Sequence, residues 1–235
     1  LNSPATQDPK HKADNSYYAN VRPEVISLVP RDAQRILDVG CGAGVMGQAL
    51  KQMGIPYVAG IEYDQQAAQQ AAQALDHVDI GDVEHLTLAH APDSFDVIIY
   101  ADILEHLINP ERTLARHMRY LKPGGIVITS IPNVRYYAVF TNLASGSWTY
   151  EESGILDRDH LRFFTIKEMV KMLNGANLEI AHVGETLNEQ YEAIKPNEYP
   201  ATINFGRIAL SGLNEFEFRD LFVFQYLIVA RKPSE

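Results

Sequence analysis

Three glycines at alternate positions, Gly40, Gly42 and Gly44, separate the apolar run Arg35-Ile36-Leu37-Asp38-Val39 from a helical stretch over Val45 to Gln52. Glycine reaches positive φ without strain and lets the backbone approach a ligand closely. A plain strand-to-helix turn needs one such residue, so three point to a loop shaped around a ligand. In an open α/β sheet ligands bind at this place, beyond the C-terminal ends of the strands. The stretch Gly42-Ala43-Gly44-Val45-Met46-Gly47 matches the G-x-G-x-x-G of dinucleotide sites. Its register is poor, because the strand ends before Gly40. Asp38 lies two residues ahead of the first glycine, where a carboxylate repels a pyrophosphate. It suits a ligand with a cationic amino-acid tail.

The rest of the chain alternates strands and helices. Strands are expected at Tyr57 to Glu62, Val78 to Ile80, Phe95 to Tyr100 and Ile126 to Ile131. Asp64 caps a Gln- and Ala-rich helix, Asn109-Pro110 opens another, and Lys122-Pro123-Gly124-Gly125 is a tight turn. Continuous apolar strands alternating with helices predict a parallel sheet covered on both faces. Later segments predict a helix over Thr165 to Asn174 and strands over Leu178 to Val183 and Phe222 to Ala230. The expected fold is therefore α/β: a doubly wound, mostly parallel seven-stranded sheet with lid insertions. Residues 1–15 read as a disordered tail, and a helix is expected over Asn15 to Val29. Residues 16–235 read as a single domain, with aromatic or irregular insertions over about 133–160 and 185–220. The second insertion is expected to hold a helix near Ile203 to Leu210.

The net charge of −10 argues against binding a nucleic-acid backbone, which takes Lys and Arg to displace counterions. The single cysteine, Cys41, excludes an intrachain disulfide and a multi-cysteine zinc site, and fits a reducing, cytoplasmic setting. No apolar window reaches the roughly 18 residues of a membrane span. The chain opens without Met and without the apolar run of a signal peptide, so it reads as carrying a tag remnant or as part of a longer, multidomain protein.

The segment Ile36-Leu37-Asp38-Val39-Gly40-Cys41-Gly42-Ala43-Gly44 closely resembles the first motif of class I S-adenosylmethionine-dependent methyltransferases. The resemblance continues in order along the chain. Glu62, at the end of the second strand, matches the family's acidic residue on the ribose hydroxyls, and Tyr63 falls beside the adenine. Gly81-Asp82-Val83 is similar to the segment that meets adenine, with Asp82 placed to accept from the exocyclic amine. Tyr100-Ala101-Asp102-Ile103-Leu104-Glu105-His106-Leu107 resembles the fourth motif, and Leu121 to Gly125 the turn before the fifth strand. The resemblance implies S-adenosylmethionine as cofactor, S-adenosylhomocysteine as product, and a site drawn from Asp38, Gly40, Cys41, Gly42, Gly44, Glu62, Tyr63, Gly81, Asp82, Val83, Ala101, Asp102 and His106.

Methyl transfer requires that water be excluded and the acceptor aligned. Tyr18 and Arg22 are candidates for the cofactor's methionine end, Arg22 through its carboxylate; a purely packing helix is the alternative. Aromatic residues from Tyr136 to Tyr150 suit a flat or sugar-like acceptor. The stretch Leu156 to Thr165 resembles a segment of methyltransferases from bacterial glycan and natural-product biosynthesis. A hydroxyl acceptor needs a base, and His160 is the candidate, with Asp157 or Asp159 orienting it. Its alternative role is to anchor the lid. Asp102-x-x-Glu105-His106 resembles the arrangement by which quinone O-methyltransferases hold magnesium, the lesser expectation here.

The expected function is methyl transfer to a small-molecule or glycan acceptor, with a sugar-like hydroxyl first. A quinone, a phenol or a natural-product nitrogen is the alternative. An NAD-dependent oxidoreductase and a non-catalytic cofactor-binding domain remain as readings from other classes.

Overall fold

The computed structural model describes residues 21–234. The expected tail over 1–15, the start of the first helix and Tyr18 lie outside them.

Helix α1 spans only Pro23–Ile26. The longer helix expected over Asn15 to Val29 does not run through the described part. Arg22, just before Pro23, has φ 52°, outside the right-handed helical region. A residue preceding proline is pushed away from that region by the ring.

The glycine loop joins β1 (Arg35–Val39) to α2 (Val45–Gln52). Next come β2 (Tyr57–Glu62), α3 (Gln65–Ala71), β3 (His77–Ile80) and β4 (Phe95–Ala101). Asp64 caps α3 as expected, accepting from the Ala67 N–H at 2.7 Å. After β4 a single 3₁₀ turn, Leu104–His106, leads to α4 (Pro110–His117) and β5 (Leu121–Pro132). The Lys122–Gly125 turn sits inside β5. The register against β4 jumps from Phe95↔Leu121 to Val97↔Ile126, so the turn is a bulge in a strand that starts early.

Beyond β5 the chain forms α5 (Tyr137–Ala144), α6 (Ile166–Gly175, capped by Thr165) and β6 (Glu179–Leu187). There follow α7 (Tyr191–Ile194), β7 (Ala201–Phe205), β8 (Ile208–Leu213), α8 (Glu215–Asp220) and β9 (Val223–Arg231). β6 continues past Val183, so the second insertion, expected from about residue 185, begins after Leu187. One expectation fails here. The helix near Ile203 to Leu210 is instead the antiparallel hairpin β7–β8. Ile203 and Phe205 alternate with polar Thr202 and Asn204, a two-residue period that belongs to a strand. Gly206 takes the positive φ the turn needs, 63°.

The main sheet has seven strands in the order β3-β2-β1-β4-β5-β9-β6. The first five are parallel, and β9 runs antiparallel to both of its neighbours. Met46 and Leu50 of α2, with Ala71 and Leu75 of the α3 region, pack on Ile36, Val58 and Val97. Leu114 of α4, with Met169 and Leu173 of α6, covers the opposite face over Leu37, Ile98 and Val127. The strand order reverses between β1 and β4, so their C-terminal ends open a crevice, and the glycine loop lies at its mouth. The two insertions share a third cluster, in which Tyr137 and Phe140 of α5 pack against Phe205, Phe218 and Phe222. Among the described residues no helix is long and apolar enough to cross a membrane.

Candidate active site

The glycine loop is tied to the end of β2. Gly40 and Cys41 donate their N–H groups to the Ile61 carbonyl at 2.9 and 3.0 Å, and Gly42 donates to Glu62 Oε2 at 2.8 Å. Glu62 Oε1 accepts from the Tyr63 and Asp64 N–H groups at 2.9 and 2.8 Å. Three of the roughly four lone-pair positions of a carboxylate are thus taken. Glu62 is held rigid, with room for one further donor, which narrows the expected two-bond grip on a ribose diol. Cys41 turns its side chain into the core, where burial pushes its thiol up, and contributes backbone to the loop.

Gly40 and Gly44 have φ of 74° and 81°. A Cβ on Gly40 would stand 2.9 Å from Ile103 Cδ1, and one on Gly44 2.9 Å from the Ala71 backbone. We expect Gly40→Ala to lower stability by about 1–2 kcal/mol from the backbone alone and to weaken S-adenosylhomocysteine binding. Thermal melting and calorimetry check the two effects. Wild-type values for both would show that the loop needs no glycine there.

Asp38 is 1% exposed, and neither of its carboxylate oxygens has a hydrogen-bond partner among the described residues. Burial, reinforced by Glu62, raises its pKa to about 7. A folded chain rarely keeps a buried carboxylate without donors, since the lost hydration goes unreplaced. A cationic group with several N–H donors answers that deficit, and the amino-acid end of S-adenosylmethionine is such a group.

On the adenine side, Gly81 donates to the Glu62 carbonyl at 2.8 Å, with φ 148°. Val83 is buried, whereas Tyr63 is 70% exposed. Asp82 Oδ1 accepts from the Glu84 N–H at 2.8 Å, and Oδ2 lies 2.7 Å from His85 Nδ1. Partial burial works against ionisation of Asp82, but these hydrogen bonds win and hold it below the usual carboxylate range. Asp82 therefore caps a turn.

At the end of β4, Ala101 is half-buried and Asp102 has φ 55°. Asp102 pairs with the Arg22 guanidinium and accepts from Gln225 Nε2. Arg22 also donates to Ser130 Oγ at 2.7 Å and to Gln225 Oε1 at 3.1 Å. The segment before α1 is thereby fastened across β4, β5 and β9. Ser130 and Gln225 join the site without a motif in the sequence to mark them. Ser130 lies near the C-terminal end of β5 and was reachable by the strand-end rule. Gln225 depends on the antiparallel placement of β9, for which the sequence carries no local signal.

His160 is 8% exposed. Its Nδ1 lies 3.0 Å from the Ile155 carbonyl, a geometry that puts the ring proton on Nδ1 and the lone pair on Nε2. Nε2 stands 4.0 Å from Glu105 Oε1. Glu105 is 1% exposed, and both its oxygens lack hydrogen-bond partners among the described residues. Burial raises its pKa to about 8. The His106 ring meets that of His160 edge-on at 4.7 Å, and its Nδ1 lies 3.1 Å from the Asp159 carbonyl.

Asp157 Oδ1 accepts from the Asp159 N–H at 2.9 Å, so this pair shapes the turn that carries His160. Leu161 and Arg162 donate their N–H groups to the Glu105 carbonyl, locking this strip to the 3₁₀ turn that follows β4. Ligand atoms of Glu105, His106 and His160 lie within 4.8 Å of one another. This cluster differs from the lesser expectation, a magnesium set of Asp102, Glu105 and His106. Leu104–His106 is a 3₁₀ turn, and Asp102 is committed to Arg22.

A family model described as a methyltransferase domain matches residues 11–183. Three ubiquinone biosynthesis O-methyltransferases are similar to this chain. That of Neisseria meningitidis serogroup A is 26% identical over 63% of this chain and 65% of its own length. That of Thiobacillus denitrificans is 27% identical over 70% and 73%. That of Azoarcus is 29% identical over 66% and 69%. The chain thus spans just under two thirds of the Neisseria relative. Among solved structures, a possible histamine N-methyltransferase from Thermotoga maritima has a TM-score of 0.62 at 22% identity, covering 92% of this chain and 89% of that one. A Mesorhizobium loti methyltransferase has a TM-score of 0.60 at 21% identity, over 89% and 96%. The structural likeness shows the fold, and the family model adds the rest: the chain belongs to the S-adenosylmethionine-dependent methyltransferases.

Proposed function

We propose that this chain methylates a hydroxyl group of a small molecule, with His160 as the base that takes its proton. The observation that carries this reading is the position of His160 on a strip bonded to the 3₁₀ turn after β4, with Nδ1 occupied by a carbonyl and Glu105 near Nε2. Bound S-adenosylmethionine supplies a methyl group already activated by its sulfonium charge. Asp38 takes the cationic amino-acid end, Glu62 one ribose hydroxyl, and the turn at Gly81-Asp82-Val83 the adenine. Ala101 and Asp102 floor the site, with Arg22 and Gln225 holding Asp102 in place. An alcohol attacks a methyl group well only as its proton leaves, and an imidazole near neutral pH is suited to receive it.

The names of the three relatives favour a phenol or quinol acceptor over the sugar-like hydroxyl. Trp148, edge-on to Phe163 at 5.5 Å, and the rings of His106 and His160 give the lid side an aromatic character suited to a flat ring. We expect release of S-adenosylhomocysteine with a catechol or hydroquinone, followed by mass spectrometry of the product. Turnover confined to amines would overturn the hydroxyl assignment.

A metal-assisted version of the same transfer draws on the Glu105, His106 and His160 cluster. Two imidazoles and a carboxylate form a set that divalent ions accept. Turnover surviving EDTA removes that version and leaves the base mechanism.

A further inference from the structure

A second group of ligating side chains lies at the far edge of the sheet. His77 and Asp79 sit two apart on edge strand β3 and so share one face of it. That face is the one on which α4 and α6 pack, since Asp79 pairs with Ile61, a member of their core cluster. The loop from β3 to β4 brings His90 back over it. His77 Nε2 stands 3.1 Å from Asp79 Oδ1, and His90 Nε2 3.8 Å from Asp79 Oδ2. All three ligand atoms lie within 4.8 Å of one another.

Packing holds the imidazoles there. The His90 ring is edge-on to Phe95 at 4.9 Å and to His77 at 5.0 Å. Asp79 Oδ2 and His90 Nε2 are buried without hydrogen-bond partners among the described residues, and they face each other. Arg35 is held elsewhere, stacked 3.7 Å over Tyr57 and donating to the Ser94 carbonyl.

We propose that His77, Asp79 and His90 bind one divalent zinc-class ion that staples the β3–β4 loop to the sheet edge. Two imidazole nitrogens and a carboxylate oxygen are ordinary zinc ligands, and in a tetrahedral shell they stand about 3.4 Å apart. The two imidazole nitrogens stand 3.1 and 3.8 Å from opposite oxygens of the Asp79 carboxylate, close enough for a small side-chain shift to close the shell. His77 is exposed on its outer side, which leaves the fourth position to water. The loop begins with Gly81-Asp82-Val83, so the staple also firms the wall of the cofactor pocket from outside the catalytic cluster.

The test titrates tag-free, metal-stripped protein with Co²⁺, read by its visible absorption, and with Zn²⁺, read by calorimetry and thermal melting. Variants are His90→Ala, His77→Ala and His160→Ala. Half-exposed His77 keeps the comparison valid if the buried His90 variant fails to fold. The proposal expects a four-coordinate cobalt spectrum and a raised melting temperature in wild type and in His160→Ala. It expects affinity lower by about 10²-fold or more in the His77 and His90 variants, beyond what loss of a mere supporting partner brings. Uptake that persists in a His77→Ala, His160→Ala double variant, uptake that vanishes in His160→Ala, or no saturable uptake in wild type would each overturn it.

Discussion

Replacing Asp38 with Asn is expected to weaken S-adenosylhomocysteine binding about 10²- to 10³-fold, the scale of removing one partner from a buried charge pair. The same change should stabilise the protein without ligand. Wild-type Asp38 is buried with no donor on either oxygen among the described residues, and its pKa lies near 7 against an ordinary 3.8. Between those values the folded chain keeps a proton that the unfolded chain has released, so stability falls as pH rises. The loss is complete above pH 7 and amounts to about 4 kcal/mol at most, from about 1.4 kcal/mol per pKa unit. Asn has nearly the same shape and does not titrate. The variant's stability advantage should therefore grow from pH 4 to pH 7 and then level off. Wild-type affinity for the ligand should rise over the upper part of that range, because the carboxylate must ionise to meet a cation, while the variant's stays flat. Melting and calorimetry at pH 5, 6, 7 and 8 resolve both trends. Undiminished affinity in Asp38→Asn would remove the ammonium assignment.

The site divides according to how local its determinants are. Asp38, the glycines and Glu62 were readable because one strand end, one turn and the next strand end fix them, and each carries a residue type the geometry demands. The segment Ile203 to Leu210 looks helical because a short apolar run hides its period, whereas Gly206 turns it into a hairpin. For Glu105 the sequence offers only the resemblance to a magnesium ligand. Its burial under the 155–162 strip comes from backbone bonds between segments over fifty residues apart, which no periodicity announces. The grip of Ser130 and Gln225 on Arg22 and Asp102 is equally non-local. The doubly wound core was legible because parallel strands covered on both faces are apolar throughout.

Removing His160 should then divide catalysis from binding. His160→Ala is expected to lower kcat by about 10²- to 10⁴-fold, the usual worth of a positioned base, with affinity for S-adenosylhomocysteine essentially unchanged. An anchor role competes, because Nδ1 is bonded to the Ile155 carbonyl and the turn around it is fastened to Glu105. His160→Asn separates the two, since the amide can still donate to Ile155 but cannot take a proton. If His160 only anchors the lid, Asn restores turnover that Ala loses. If it is the base, both variants are equally slow, and Asn differs from Ala only in recovering thermal stability. Glu105→Gln adds the remaining distinction. Glu105 stands 4.0 Å from Nε2 and stabilises a positive imidazole only once it has lost its own proton, which its pKa places near pH 8. Wild-type kcat should keep rising through that pH, whereas the Gln variant should be slower and lack the rise. Combined with His160→Ala it should cost little more, because a carboxylate that works through the imidazole has nothing to support once the imidazole is gone.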